Sequence, residues 1–113
     1  MKLEELAGYL EKMGNPTRLG IVRLLIKAGP EGMSVGALQA HLGIPASTLS
    51  HHLLFLATSS LIHQEREGRV VRCTANLELL NQMVQALMAE CCTGVGSIGE
   101  PARKDCRPSS TNA

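Results

Sequence analysis

The chain has 113 residues, 44% hydrophobic and 19% charged, the balance of one globular domain rather than a disordered segment. A net charge of +1 gives no overall basic field, so any nucleic-acid contact has to come from a few placed cations. Tyr9 and Phe55 are the only aromatic residues, too few for a platform on which single-stranded bases stack, which argues against RNA and single-strand readers.

No apolar run approaches the length of a membrane span. Met1-Lys2-Leu3-Glu4-Glu5 carries acids where a secretory leader needs a basic and then an apolar stretch. The expectation is a cytoplasmic protein with no membrane partner, in which Cys73, Cys91, Cys92 and Cys106 are thiols.

Residues 3–13 read as a helix with Leu3, Leu6, Leu10 and Met13 on one narrow stripe, closed by Gly14. Asn15-Pro16 starts a second, with Asn as cap and Pro at the first helical position, where its missing N–H costs nothing. Leu19, Ile21, Val22, Leu25 and Ile26 make this helix broadly apolar and central to the core, and Gly29-Pro30-Glu31-Gly32 ends it. Ser34 caps a short third helix over 35–42 with Leu38 and Leu42 inward, and Gly43 is its left-handed exit. Pro45 opens a fourth over 46–58, with Leu49, Leu53 and Leu56 inward. Residues 61–66 and 70–74 then read as strands joined by a hairpin turn at Glu67-Gly68-Arg69. Cys73, on the second of these strands, reads as a packing residue.

A last helix runs from about 77 to 92, with Leu77, Leu80, Val84, Leu87 and Cys91 in strict three-four alternation. So narrow a seam, echoed on the first helix, suits packing between two chains, because helices two to four already fill a small core. The domain therefore spans 1–93. Gly, Ser, Pro and charge dominate 94–113, read as a flexible tail that carries Cys106.

Helix, Gly-containing tight turn and second helix over 34–53 is the arrangement that presents a recognition helix to the major groove. With positions 38, 42, 49 and 53 inward, Ser47, Thr48, Ser50, His51 and Leu54 fall on the outer face. Short hydroxyls and an imidazole can hydrogen-bond base edges and phosphates while letting the helix sit deep in the groove. His52 reads as a packed imidazole. The hairpin follows as a wing whose Arg66, Arg69 and Arg72 can reach phosphates or the minor groove. The fold expected is mainly α with a β-hairpin wing: a winged helix-turn-helix that dimerises through its first and last helices.

From Leu3 to Cys92 the sequence resembles the ArsR/SmtB family of metal-responsive repressors. The resemblance is carried by Asn15-Pro16-Thr17-Arg18, Ser47-Thr48-Leu49-Ser50-His51-His52-Leu53 and Glu67-Gly68-Arg69. It implies a winged-helix homodimer, an operator of inverted half-sites in double-stranded DNA, and release on ligand binding. The family's Cys-Val-Cys-Asp sensor segment corresponds here to Ser34-Val35-Gly36-Ala37, and 77–90 holds neither the Asp nor the His of its zinc site, so neither site transfers.

Sulfur remains. Cys91 and Cys92 end the last helix, and Cys106 follows a Gly-rich stretch. Thiolates without nitrogen or hard-oxygen partners select soft ions, and three of them suit trivalent arsenic or antimony as the effector. Adjacent helical residues diverge by about 100°, so both sulfurs reach one ion only if the final turn frays. The rival reading keeps the fold and makes Cys92 and Cys106 a reversible disulfide that senses redox state or sulfide. A thiol enzyme is disfavoured, since no base sits near these cysteines on a rigid element. No cofactor is required.

Overall fold

The computed structural model describes residues 1–95. Each helix begins where the sequence supplies an acceptor or a preset φ. In α1 (Leu3–Met13) the side chain of Glu5 accepts from the Lys2 amide at 3.0 Å. In α2 (Pro16–Ala28) the Asn15 side chain accepts from the amides of Thr17 and Arg18, and Pro16 takes the first turn. A 3-10 turn (Gly29–Glu31) leads to β1 (Met33–Ser34). Ser34 Oγ then accepts from the Ala37 amide to start α3 (Val35–Leu42), which Gly43 closes at φ +64°. After α4 (Ala46–Thr58) come β2 (Ile62–Glu67), β3 (Val70–Ala75) and α5 (Leu77–Leu87), the last capped by Asn76.

The inward residues of α2, α3 and α4 form one core. Ile21, Val22, Leu25, Leu38, Leu49, Leu53 and Leu56 are all buried, closed below by Leu61, Ile62 and Cys73 from the strand end. Burying a side chain of this size contributes about 1.5–3 kcal/mol, so the core is what holds α3 and α4 at a fixed angle. Leu6 of α1 and Leu80 and Met83 of α5 cap the other side.

Three sequence expectations are corrected. Leu19 and Ile26 are 41% and 43% exposed, because α2 is covered on one side only and the core-facing arc stops at Ile21, Val22 and Leu25. The hairpin is part of a three-stranded antiparallel sheet ordered β1-β3-β2, in which Met33 pairs with Cys73 and Ser34 with Arg72. Two residues are too short a stretch for alternation to reveal a strand. Finally, α5 stops at Leu87, not near 92. Residues beyond it turn, with Glu90 and Cys92 at φ +62° and +64°, and neither conformation can continue a right-handed helix.

Candidate nucleic-acid interface

The turn between α3 and α4 is braced by Gln39, whose side-chain amide donates to the Ile44 carbonyl at 3.3 Å. With Leu49 and Leu53 pinned in the core, the 3.6-residue period places Ser47, Thr48, Ser50 and His51 on the far side of α4, and all four are exposed. Leu54, on the same surface, is 64% exposed. This face is short, polar and unobstructed.

The wing stands beside it. Ile62 to Glu67 pair residue for residue with Ala75 to Val70, and Gly68 makes the tip turn at φ +65°. Arg66 and Arg69 are exposed near the tip, and Arg66 Nε donates to the Gly68 carbonyl at 3.4 Å. A groove between α4 and the wing is lined by Ser50, Leu54, Arg69 and Val70, so Ser50 and Arg69 face one channel. Arg72 is not part of that reach. Its Nε donates to Glu67 Oε1 at 3.1 Å and its Nη1 to the Glu31 carbonyl at 3.2 Å, which makes it a brace between wing and 3-10 turn.

One cluster escaped the sequence reading. Lys12 Nζ and the Arg18 guanidinium carbon each lie 4.5 Å from the centre of the Phe55 ring, and Arg18 Nε donates to the Lys12 carbonyl at 2.6 Å. The signal available was an aromatic residue at the outer edge of α4, one turn after His51, where an apolar ring has no core to fill. His52 is near enough to that cluster to feel the charge of Arg18. Its Nδ1 is buried without a hydrogen-bond partner among the described residues. Burial holds the imidazole below its usual basicity, and the charge of Arg18 and then His51 push the same way.

Cys91 and Cys92 are exposed on the turn after α5, their sulfurs 3.4 Å apart. The turn, rather than a frayed helical end, brings them together. Cys92 is disulfide-bonded. Cys106 lies outside the described residues, and among those residues no three His, Cys, Asp or Glu side chains are grouped to hold a metal. Cys73 is separate from this chemistry. It is fully buried, burial raises its thiol pKa, and the Gln64 amide donates to its sulfur at 3.7 Å, partly offsetting the rise.

α1 and α5 also expose apolar residues: Leu3 and Leu10 on the first, Val84, Leu87 and Met88 on the second and just beyond its end. The seam read from the sequence divides here, Leu80 turning into its own core while Val84 and Leu87 face out, 61% and 62% exposed. No helix is long and apolar enough to cross a membrane among the described residues.

Comparison with known proteins fits this geometry. A helix-turn-helix domain model matches residues 13–65. The nodulation protein NolR of Rhizobium meliloti is 35% identical over 81 residues, 72% of this chain and 64% of that one, so the chain spans somewhat less than two thirds of that relative. The HTH-type transcriptional regulator YgaV of Escherichia coli is 31% identical over 84 residues, 74% of this chain and 83% of that protein. Among solved structures, an ArsR family transcriptional regulator superposes with a TM-score of 0.65 at 28% identity, covering 80% of this chain and 89% of that one. The chain belongs to the ArsR/SmtB family of winged helix-turn-helix, DNA-binding transcriptional regulators.

Proposed function

We propose that two copies of the chain pair through α1 and α5 as a repressor of an inverted-repeat operator, released when trivalent arsenic or antimony binds Cys91, Cys92 and Cys106. The observation that carries the DNA half of this reading is the exposed face of Ser47, Thr48, Ser50 and His51 on a helix fixed by a buried leucine row. Small side chains let α4 approach the base edges, and Arg66 and Arg69 reach the flanking backbone. Two such helices in a symmetric dimer read half-sites about one DNA turn apart.

The effector half is supported by the two exposed sulfurs 3.4 Å apart. A soft ion bonding thiolates at about 2.3 Å, the zinc–thiolate length, can bridge sulfurs at roughly that separation. Cys92 is a ligand only after a reductant of the small-thiol class has opened its disulfide by thiol exchange, taking up the second sulfur and leaving two free thiols. Each thiol proton then leaves as water with a hydroxide of arsenous acid, and three sulfur–arsenic bonds replace three oxygen–arsenic bonds. The ion then fixes the turn after α5, next to the dimer seam, and shifts the spacing of the two α4 helices. Linkage makes the coupling reciprocal: operator DNA weakens metalloid binding by the factor by which metalloid weakens DNA binding.

A second reading is favoured by the disulfide at Cys92. An oxidant of the peroxide class takes two electrons from a thiol pair, giving a disulfide and water, and the same turn carries the signal. Mass spectrometry of the intact protein, first reduced and freed of reductant, separates the two. Arsenite treatment giving an adduct with loss of three protons supports metalloid sensing; peroxide treatment removing only two hydrogens, with no arsenite adduct, supports the redox reading. For the DNA half, Ser50→Ala combined with His51→Ala abolishes operator retardation in a gel while the dimer persists. Unchanged retardation overturns the assignment of α4. Cys91→Ser and Cys92→Ser retain DNA binding and lose release by arsenite, and release that persists moves the effector site elsewhere.

A further inference from the structure

We propose that Lys12 and Arg18, gathered on the ring of Phe55, form a backbone-phosphate clamp at the edge of the recognition helix, adding a sequence-independent anchor to the DNA footprint. This rests on the DNA-binding reading of α4 and extends it to residues of α1 and α2.

With 11 Lys and Arg against 10 Asp and Glu, the chain has no general basic field, so an anion site has to come from cations held in place. Among the described residues neither Lys12 nor Arg18 is in an ion pair; the one bridge there joins Arg72 and Glu67. Two like charges are nonetheless held 4.5 Å from one ring centre. The ring attracts each cation by about 0.5–1 kcal/mol at an exposed site, and it fixes where they stand. A cationic pair held in place without a counter-ion is built to receive an anion.

Hydrogen-bonding capacity points the same way. Arg18 spends its Nε on the Lys12 carbonyl at 2.6 Å, which anchors the guanidinium. Its two Nη groups and the Lys12 ammonium make no hydrogen bond among the described residues. Both side chains are only partly buried. A brace between α1 and α2 accounts for the Nε bond and leaves these donors without a purpose. Arg18 also sits in the first turn of α2, where the helix dipole adds positive potential.

Position identifies the anion. Phe55 lies four residues beyond His51 and seven beyond Thr48, so all three share one stripe of α4. A duplex seated on Thr48 and His51 runs past Phe55 as the helix leaves the groove, where the sugar-phosphate backbone is the nearest surface. A phosphate there meets donors of known strength: the planar guanidinium pairs with two of its oxygens and the ammonium acts as a point charge.

The test is a salt titration of the full chain binding sheared duplex DNA of mixed sequence, read by fluorescence anisotropy. Lys12→Gln weakens binding and makes the plot of log affinity against log salt shallower by about 0.9 for every phosphate that each protomer no longer neutralises. Arg18→Gln does the same, and Lys12→Arg restores the wild-type slope. Should Arg18→Gln unfold, Lys12→Gln still decides, since the Lys12 ammonium makes no hydrogen bond or ion pair among the described residues. Wild-type protein that binds duplex DNA with a slope identical to that of Lys12→Gln overturns the clamp and leaves a brace. Wild-type protein that binds no duplex at low salt overturns the reading of α4, and the clamp falls with it.

Discussion

Gly32 is pressed against the backbone of Cys73: a β-carbon built on it would overlap the Cys73 carbonyl oxygen and crowd the Thr74 methyl. Its φ and ψ of +66° and −159° lie in a region that essentially only glycine occupies. Gly32→Ala therefore destabilises the protein by about 1–3 kcal/mol from backbone strain alone, with the overlap added. Gly43 has a positive φ of +64° but open space, so Gly43→Ala costs only about 1–2 kcal/mol. Urea denaturation of both variants checks the order, and an equal or reversed ranking refutes the close approach.

Cys73 should be chemically silent in the native protein. It is fully buried and its thiol is harder to ionise than a free one, chiefly through burial. Iodoacetamide alkylates it only as fast as the molecule unfolds, and peptide mapping over a labelling time course reads this directly. Rapid native-state alkylation at Cys73 would show the strand end to be open.

His52 gives the fold a pH dependence with a definite sign. Its basicity is lowered in the folded state, by burial first and then by Arg18 and His51. Unfolded protein thus binds more protons below about pH 6.5, the ordinary value for histidine. Stability is complete above that value and declines as pH drops through it toward the folded-state value. His52→Gln removes this slope. Thermal melts from about pH 7.5 down to 5 that coincide for the two proteins would rule out His52 as the source.

The exposed seam of α1 and α5 predicts assembly. Val84→Glu with Leu87→Glu places two charges on a surface that the proposed dimer buries. Forfeiting about 1.5–3 kcal/mol per apolar side chain corresponds to a tenfold or greater rise in dissociation constant for each. Sedimentation equilibrium should show monomers with an intact circular dichroism spectrum. Persistence of the wild-type mass would place the interface elsewhere.

Phe55→Leu keeps both nearby cations while removing the ring that gathers them. Without the two exposed cation–π interactions the protein is less stable by about 1–2 kcal/mol in all. A melting temperature unchanged from wild type would show that the ring stabilises neither cation.

Much of this fold could be read from the residues. Asn15, Pro16, Ser34 and Gly43 set the bounds of α2 and α3 through cap chemistry that acts within a few residues, and the leucine rows of α4 follow from helical period. What escaped depends on partners distant in sequence or on segments too brief to have a period. Strand β1 is two residues long and exists because Met33 and Ser34 find Cys73 and Arg72. Lys12, Arg18 and Phe55 meet from three helices, and no local pattern announces that meeting. The early stop of α5 had a weaker cause in the sequence: Cys91 keeps the seam's spacing, and spacing alone does not show that Glu90 takes a left-handed turn.

Ser34 serves two structures at once. Its hydroxyl starts α3, and its backbone pairs with Arg72 in the wing sheet, while Arg72 ties the same sheet to Glu31 and Glu67. The start of α3 and the wing sheet are thereby joined through one residue. A push that tilts the start of α3 therefore carries the middle of the wing with it.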